Sequence, residues 1–438
     1  MMPAKRSSGR VSYSPPSSHS RKRGRDDTPA AAPAPAPEED EARPLQQGAW
    51  NREMSLPRTT ADRVLALVRS SGRRFDARNL ATAAHRVGKF GGRRLRSDGR
   101  LEELGRLCRR KVRSFPAHSL AVAVWGFAKA GLADLELFAA FAGAAKERID
   151  SFNSLNMSNT VWAFATAGVV DEELFGTVAA QFARTIRRCN PLAMAETAWA
   201  FATAGVADTR LFDAIAAEVG ARPENVRPQE LATLLYAFAV VGWPRRDIFV
   251  RVASHLQQFD VRQLPPTKQA LLALAALYAR LRGWEDDDDD LHLFSRLSSS
   301  FPVAVRSGYY LRRAPFRTRV SATLRELGWE HAVDHATPEG LSPSLADAKS
   351  KRAVQVDGPS SFLRDASTGD YVLDGPTRFK SRLLQRLGWK VAHLAYFEWQ
   401  SSKFESERHA LMAVKLAEVG VVDLAPDAVP RWILHDLL

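Results

Sequence analysis

Cysteine is nearly absent. Cys108 and Cys189 are the two in 438 residues, which excludes a disulfide framework and a cysteine-built zinc site. No apolar run approaches the length of a membrane span. There is no phosphate-binding Gly-Lys loop, no kinase motif set and no nucleophile elbow. Acid is in short supply as well: 49 Asp and Glu stand against 62 Lys and Arg, a formal net charge of +13. Residues 1–43 hold eight basic and six acidic side chains, so a net of +11 belongs to the rest of the chain. Such an excess favours a polyanionic partner, nucleic acid first, unless it is a functionless surplus.

What the chain has in abundance is repetition. The phrase Trp125 to Gly131 (WGFAKAG) returns as Trp162 to Gly168 (WAFATAG), as Trp199 to Gly205 (WAFATAG) and, more worn, as Tyr236 to Gly242 (YAFAVVG). The step is 37 residues, and a second phrase keeps it: Leu137-Phe138, Leu174-Phe175, Leu211-Phe212 and Ile248-Phe249. A fixed period of this size predicts stacked helical hairpins. With the aromatic as position zero, the residues at −5, −1 and +2 (Leu120, Val124 and Phe127 in the first copy) make one buried helix stripe. Small residues at −4, +1 and +3 let neighbouring helices approach. The Gly at +6 suits the left-handed residue that ends a helix. Asp134, Asp171 and Asp208 stand where a second helix needs its N-cap.

Positions −6, −3 and +4 define another side of the same helix, and here the copies differ: Ser119, Val122 and Lys129; Asn156, Asn159 and Thr166; Ala193, Glu196 and Thr203; Glu230, Thr233 and Val240. A constant framework with a variable hydrogen-bonding stripe is what a ladder reading one RNA base per repeat requires. A solvated face free to drift has the same appearance.

Along the chain, residues 1–57 are expected to be a disordered basic and Pro-rich segment. Residues 1–25 hold seven Lys or Arg, many Ser and no acid, the composition of an organelle transit peptide. Arg21 to Arg25 (RKRGR) could instead be a nuclear address. The array is expected over 58–284, opening with a degraded copy at 76–90 whose turn glycine is Gly88 and closing with a worn unit from Lys268. Atypical end units are what an array needs as caps. Glu285 and Asp286 to Asp290 read as an acidic linker over 285–305, with metal binding or nucleic-acid mimicry as the sharper alternatives.

Residues 306–438 change pattern into a small α/β unit. Helices are expected over 318–327 and 377–387, strands over 353–356 and 390–396, and a polar loop leads to Gly375. This part resembles the RAP domain, a module of RNA-associated proteins in apicomplexans, algae, plants and animal mitochondria. The resemblance covers roughly residues 350–412 and is carried by Val354 to Phe362 (VQVDGPSSF), Gly375 to Leu384 (GPTRFKSRLL), Leu387 to Val391 (LGWKV) and Tyr396 to Trp399 (YFEW). The repeats are similar to those of octotricopeptide-type proteins and of the Fas-activated kinase family of mitochondrial RNA regulators, whose arrays also end in a RAP domain. The resemblance implies an α-solenoid followed by a restriction-endonuclease-like RAP fold. It also implies binding of single-stranded RNA in a mitochondrion or chloroplast, acting on transcript stability, processing or translation, with possible protein partners.

That fold raises a nuclease hypothesis. Metal-dependent phosphodiester cleavage needs carboxylates to hold Mg²⁺. The candidates are Asp347 and Asp357, with Glu326 or Lys351 as compensators. Gln355 stands where many family members have Glu, and Ser361 where the family often has His. No cofactor is expected otherwise, and no metal site: His331 and His335 are a pair without a third strong ligand. The RNA-binding candidates are Lys129, Asn156, Asn159, Thr166, Glu196, Thr203 and Thr233 on the array, with Asp357, Arg378, Lys380, Arg382 and Arg386 in the RAP region. A scaffold that binds proteins and touches RNA indirectly is the alternative from another class.

Overall fold

The computed structural model describes residues 38–284 and 315–422, so the acidic run and its linker lie outside the described residues, as does the chain before Glu38. Each copy of the phrase is a helix. α3 (Ala77–Gly91), α5 (Ala117–Ala130), α7 (Ser154–Ala167), α9 (Pro191–Ala204), α11 (Pro228–Val241) and α13 (Pro266–Leu281) stack in chain order into one layer. α2 (Ala61–Ser71), α4 (Gly99–Lys111), α6 (Leu135–Lys146), α8 (Glu172–Arg184), α10 (Thr209–Ala221) and α12 (Arg246–Leu256) form the second layer. The fold is an α-solenoid of hairpins, as the period requires.

The signals that build one hairpin are local and act where the sequence puts them. Gly131, Gly168, Gly205 and Gly242 take φ of 80°, 73°, 71° and 74°, the left-handed conformation that closes the first helix. The carboxylates of Asp134, Asp171 and Asp208 accept the backbone N–H of Leu137, Leu174 and Leu211 at 3.0, 2.8 and 3.1 Å and open the second. The second phrase explains itself in packing. Phe138 meets Phe164 of the next repeat edge-on at 5.0 Å, Phe175 meets Phe201 at 4.8 Å and Phe212 meets Phe238 at 5.6 Å, all fully buried. Each such pair adds about 0.5–1.5 kcal/mol to its area burial and locks one repeat onto the next.

Two features at the N-terminal side differ from expectation. A helix, α1 (Glu38–Ser55), forms well before residue 58. Trp50 and Met54 lie one turn apart on its buried side, and the Trp50 ring packs on Phe75 at 5.0 Å. Gly88 is not a turn glycine either. α3 runs on to Gly91, and His85 occupies position zero, its ring facing Trp125 at 5.3 Å. Gly88 lies at a helix crossing instead: a Cβ there would strike the backbone of Gly126, and a Cβ on Gly126 would strike the carbonyl of Ala84. Absence of side chains at this crossing lets α3 and α5 touch backbone to backbone.

After residue 315 come α14 (Pro315–Glu326), β2 (Ala332–Val333), β3 (Leu345–Asp347), β4 (Arg352–Asp357), β5 (Phe362–Asp365), β6 (Tyr371–Leu373), α15 (Gly375–Arg386), β7 (Lys390–Ala395), α16 (Tyr396–Ser401) and α17 (Glu405–Glu418). The main sheet has the order β2-β3-β4-β7, with β7 parallel to β4. Val320, Leu324, Trp329, Leu345, Val354, Leu394, Trp399 and Met412 form its core. The expected polar loop before Gly375 is a β-hairpin, β5–β6, and it joins a strand of the array. β1 (Val169–Val170), directly after the Gly168 turn, runs parallel to β5. From Gln47 onward the described array and α/β region belong to one compact unit.

Candidate nucleic-acid interface

The position-zero side chains form a ladder across the first layer of helices. His85 and Trp125 are 5.3 Å apart at 34°, Trp125 and Trp162 6.2 Å at 32°, Trp162 and Trp199 6.5 Å at 29°. All four rings are half-buried, so each keeps an accessible face or edge. Lys129 is exposed and lays its ammonium over both Trp125 (5.5 Å) and Trp162 (4.6 Å). Burial lowers the His85 pKa, aided by the positive Lys89 and Arg86, which favours a neutral ring for stacking.

The variable stripe divides by position and by place in the array. Position −6 is buried in every copy, at Ser119, Asn156, Ala193 and Glu230. Asn156 therefore faces the protein interior, 4% exposed, and does not share the open side. Positions −3 and +4 are open early and close later. Lys129 is exposed and Asn159, Thr166 and Glu196 are half-buried, whereas Thr203, Thr233 and Val240 are buried. The buried hydroxyl oxygens of Thr166 and Thr203 have no hydrogen-bond partner. Thr233 accepts from the Lys268 ammonium at 2.7 Å. Burial pushes the Glu196 carboxyl up and the Lys268 ammonium down, with Glu196, Glu230 and Lys268 near enough to feel one another.

The late copies close because α15 lies across them. It packs on α9, α11 and α13. Its arginines recur every fourth residue and each donates to a carbonyl at the C-terminal end of one array helix: Arg378 to Gly205 at 3.2 Å, Arg382 to Val240, and Arg386 to Leu281 at 3.1 Å. Carbonyls in the last turn of a helix lack intrahelical partners and carry the negative end of its dipole, so a guanidinium suits them. Phe379, on the same helix, is 2% exposed and touches Tyr236 and Tyr278 edge-on or tilted at 6.0 and 6.1 Å. Gly375 sits so close to the Ala202 carbonyl that a Cβ could not be accommodated. The basic face that looked free in the sequence is thus spent on joining the two regions, a role visible only once the repeats are stacked.

The would-be nuclease acids do not come together. Asp347 pairs with Arg352 at the start of β4, while Asp357 ends that strand; five residues of strand separate the two, about 16 Å. Asp347 caps its own turn, accepting from Lys349 N–H at 3.0 Å and from Ser350 Oγ, and that hydroxyl holds its pKa down. Across the sheet from Gln355 stands Ser344, whose Oγ donates to the Gln355 amide oxygen at 3.1 Å. Lys380 donates to the same oxygen at 3.2 Å, and burial lowers its pKa to about 8. Asp357 instead binds His393 Nδ1 at 2.6 Å, and His393 Nε2 meets Ser381 Oγ at 2.8 Å. Asp357 and Ser381 are 5% and 6% exposed, and Ser381 lies mid-helix, so this relay ties α15 to β7 and β4. Sequence reasoning passed over Ser344, Ser381 and His393, because only strand register and helix docking bring them to Gln355 and Asp357. Glu326 meets His409 of α17 at 3.1 Å.

Comparison with known proteins agrees with this division. No curated protein matches the chain. Residues 54–271 match the family of the RNA-editing substrate-binding complex 6 protein. Residues 354–413 match the RAP domain. Among the described residues no helix is long and apolar enough to cross a membrane. Helical array, RAP fold and these two matches together support a RAP-domain protein of the RNA-associated class.

Proposed function

We propose that the chain binds single-stranded RNA with sequence preference along the open part of its first helix layer, from α3 to α9. It acts on the stability, processing or translation of particular transcripts in an organelle, the mitochondrion in the first place. The observation that carries this is the ladder His85, Trp125, Trp162 and Trp199 with Lys129 laid over two of its rings. Bases stack on aromatic faces without regard to identity, each stack contributing about 1–3 kcal/mol, while cations along the groove meet phosphates. Asn159 and Glu196 flank the rings and offer donors and acceptors that differ from repeat to repeat, which supplies preference, while Thr166 borders them with its hydroxyl turned inward. The matched family's name, an RNA-editing substrate-binding complex protein, supports an RNA partner within a larger assembly. The compartment rests on the resemblance of the repeats to mitochondrial RNA regulators and on the acid-free, Arg- and Ser-rich residues 1–25.

The test is selection. The full chain is incubated with a random single-stranded RNA pool, bound RNA is recovered at stepped salt, and the recovered pool is sequenced. A short enriched motif, lost steeply as salt rises, is the expected result. Exchange of Asn159 and Thr166 then changes the preference at one motif position, and an unchanged profile removes the base-reading stripe.

A second reading has one observation of its own. Leu155 and Leu192, at position −7 of two successive copies, lie along the same open side and are 45% and 42% exposed. A face that docks a protein would show such residues. Absence of RNA affinity even at low salt would select that reading.

A further inference from the structure

The RAP region carries a second aromatic surface that neither the ladder nor the domain junction uses. Strand alternation puts Phe362, Arg364 and, across the hairpin, Tyr371 on one face of β5–β6, while Leu363 turns inward at 2% exposure. Tyr396 and Phe397, at the start of α16, complete the cluster. Tyr371 and Phe397 stack at 5.0 Å and 25°, Phe362 meets Phe397 at 5.1 Å, and Tyr371 meets Tyr396 edge-on at 6.1 Å. Tyr371 is 45% exposed, and the Arg364 guanidinium lies over its ring at 5.3 Å. The hydrogen bond from Tyr371, with partial burial, pushes the Tyr396 phenol up to about 12.

Position says what such a surface would meet. β5 is bonded to the end of the α7 hairpin turn: Arg364 N–H donates to the Gly168 carbonyl and Ala366 N–H to the Val170 carbonyl, each at 2.7 Å. Thr166, the half-buried last residue of the α7 stripe, stands two residues before Gly168. The aromatic cluster therefore begins where that stripe ends. A strand lying on the ladder and leaving it at α7 arrives at stacked rings with a guanidinium beside them, the pairing of π-face and cation that holds an unpaired base and its phosphate. The chain's +13 charge suits a nucleic acid over an acidic-patch-seeking or neutral partner.

We infer that Phe362, Tyr371, Tyr396 and Phe397, with Arg364, form a second RNA site that stacks an unpaired base of the strand held by the array. This rests on the RNA reading given above and adds a place and a chemistry to it. The RAP region thereby acts as a reader beside the repeats rather than as their cap alone.

The experiment uses the full chain and a short oligouridine carrying a single photoreactive thiouridine, its position moved along the strand. Cross-linked peptides are mapped on the unaltered protein, so the map does not depend on the folding of any variant. The expected map has two groups, the α5 and α7 peptides for one set of positions and the peptides bearing Tyr371 or Phe397 for positions beyond them. Tyr371→Thr, which keeps a strand-forming residue, is expected to weaken binding roughly 5- to 150-fold, the range of one lost base stack. Tyr371→Phe keeps the ring and is expected to bind within twofold of the unaltered chain. Cross-links confined to the array, with Tyr371→Thr also within twofold, overturn the second site and leave the array reading standing. Failure of the unaltered chain to bind the oligouridine or any RNA of the pool at low salt overturns both.

Discussion

The arginines of α15 separate two physical roles that look the same in a sequence. Replacing Arg378, Arg382 and Arg386 together by Met keeps three long apolar stems and removes three guanidinium forks. In the structure each fork serves a carbonyl at an array helix end, at Gly205, Val240 and Leu281. A hydrogen bond from a charged donor contributes about 1.5–3 kcal/mol when sheltered, and less for Arg382 and Arg386, whose side chains are partly exposed. A combined loss of about 3 kcal/mol follows, concentrated on the contact between α15 and the array. Thermal unfolding should show a drop of several degrees, and hydrogen exchange should speed up at residues 202–205, 238–241 and 375–386 while α3, α5 and α7 stay protected. RNA affinity should keep its dependence on salt. Were the same arginines phosphate contacts, the opposite pattern would appear: an unchanged melting temperature and a salt slope flatter by about 0.7 for each arginine lost. That result would refute the assignment.

The crossing of α3 and α5 gives a sharp contrast between glycines. Gly126→Ala puts a methyl into the Ala84 carbonyl and should cost about 1–3 kcal/mol or more in thermal or denaturant unfolding, whereas Gly143→Ala in α6 meets open space and should stabilise by about 0.5–1 kcal/mol; equal effects would contradict the close approach. Lys380 has a folded pKa near 8, below its unfolded value, so the folded state binds fewer protons between about pH 8 and 10.5 and wild-type stability should rise there relative to Lys380→Met. A flat difference across that window removes the burial argument. RNA incubated with the chain in Mg²⁺ should stay intact, because Asp347 and Asp357 lie at opposite ends of β4 and a neutral Gln355 stands between them; cleavage abolished by Asp357→Ala would restore the nuclease.

What the sequence made legible is what a few neighbouring residues decide. The left-handed glycines, the Asp caps and the buried phenylalanines each act within one hairpin or one step of the stack, and a period of 37 exposes them. The RAP strands and helices were visible for the same reason. Less visible was anything settled by docking. The β5–β6 hairpin has strands of only four and three residues and is bonded to β1, far away in the chain. Gly88 looked like a turn because its neighbours imitate the phrase, yet its neighbour in space, Gly126, sets its role. Asp347 and Asp357 seemed a pair because both are acids near one strand, and register places them at its two ends. Asn156 looked like a reader, but position −6 turns inward in every copy.

The docking of α15 also limits how many bases the array could read. A stripe position serves RNA only while water can reach it, and along this array access falls from Lys129 through Asn159, Thr166 and Glu196 to Thr203 and Thr233. The aromatic ladder stops at the same place: Trp199 is its last stacked member, and the ring after it, Tyr236, turns to Phe379 of α15. Six helices build the first layer, but those beyond α9 serve the RAP region. A motif read by the array should therefore span three or four nucleotides, one for each open repeat. A selected motif of six or more contiguous array-dependent positions would require α15 to leave the groove, and would be seen as loss of protection at residues 375–386 when RNA binds.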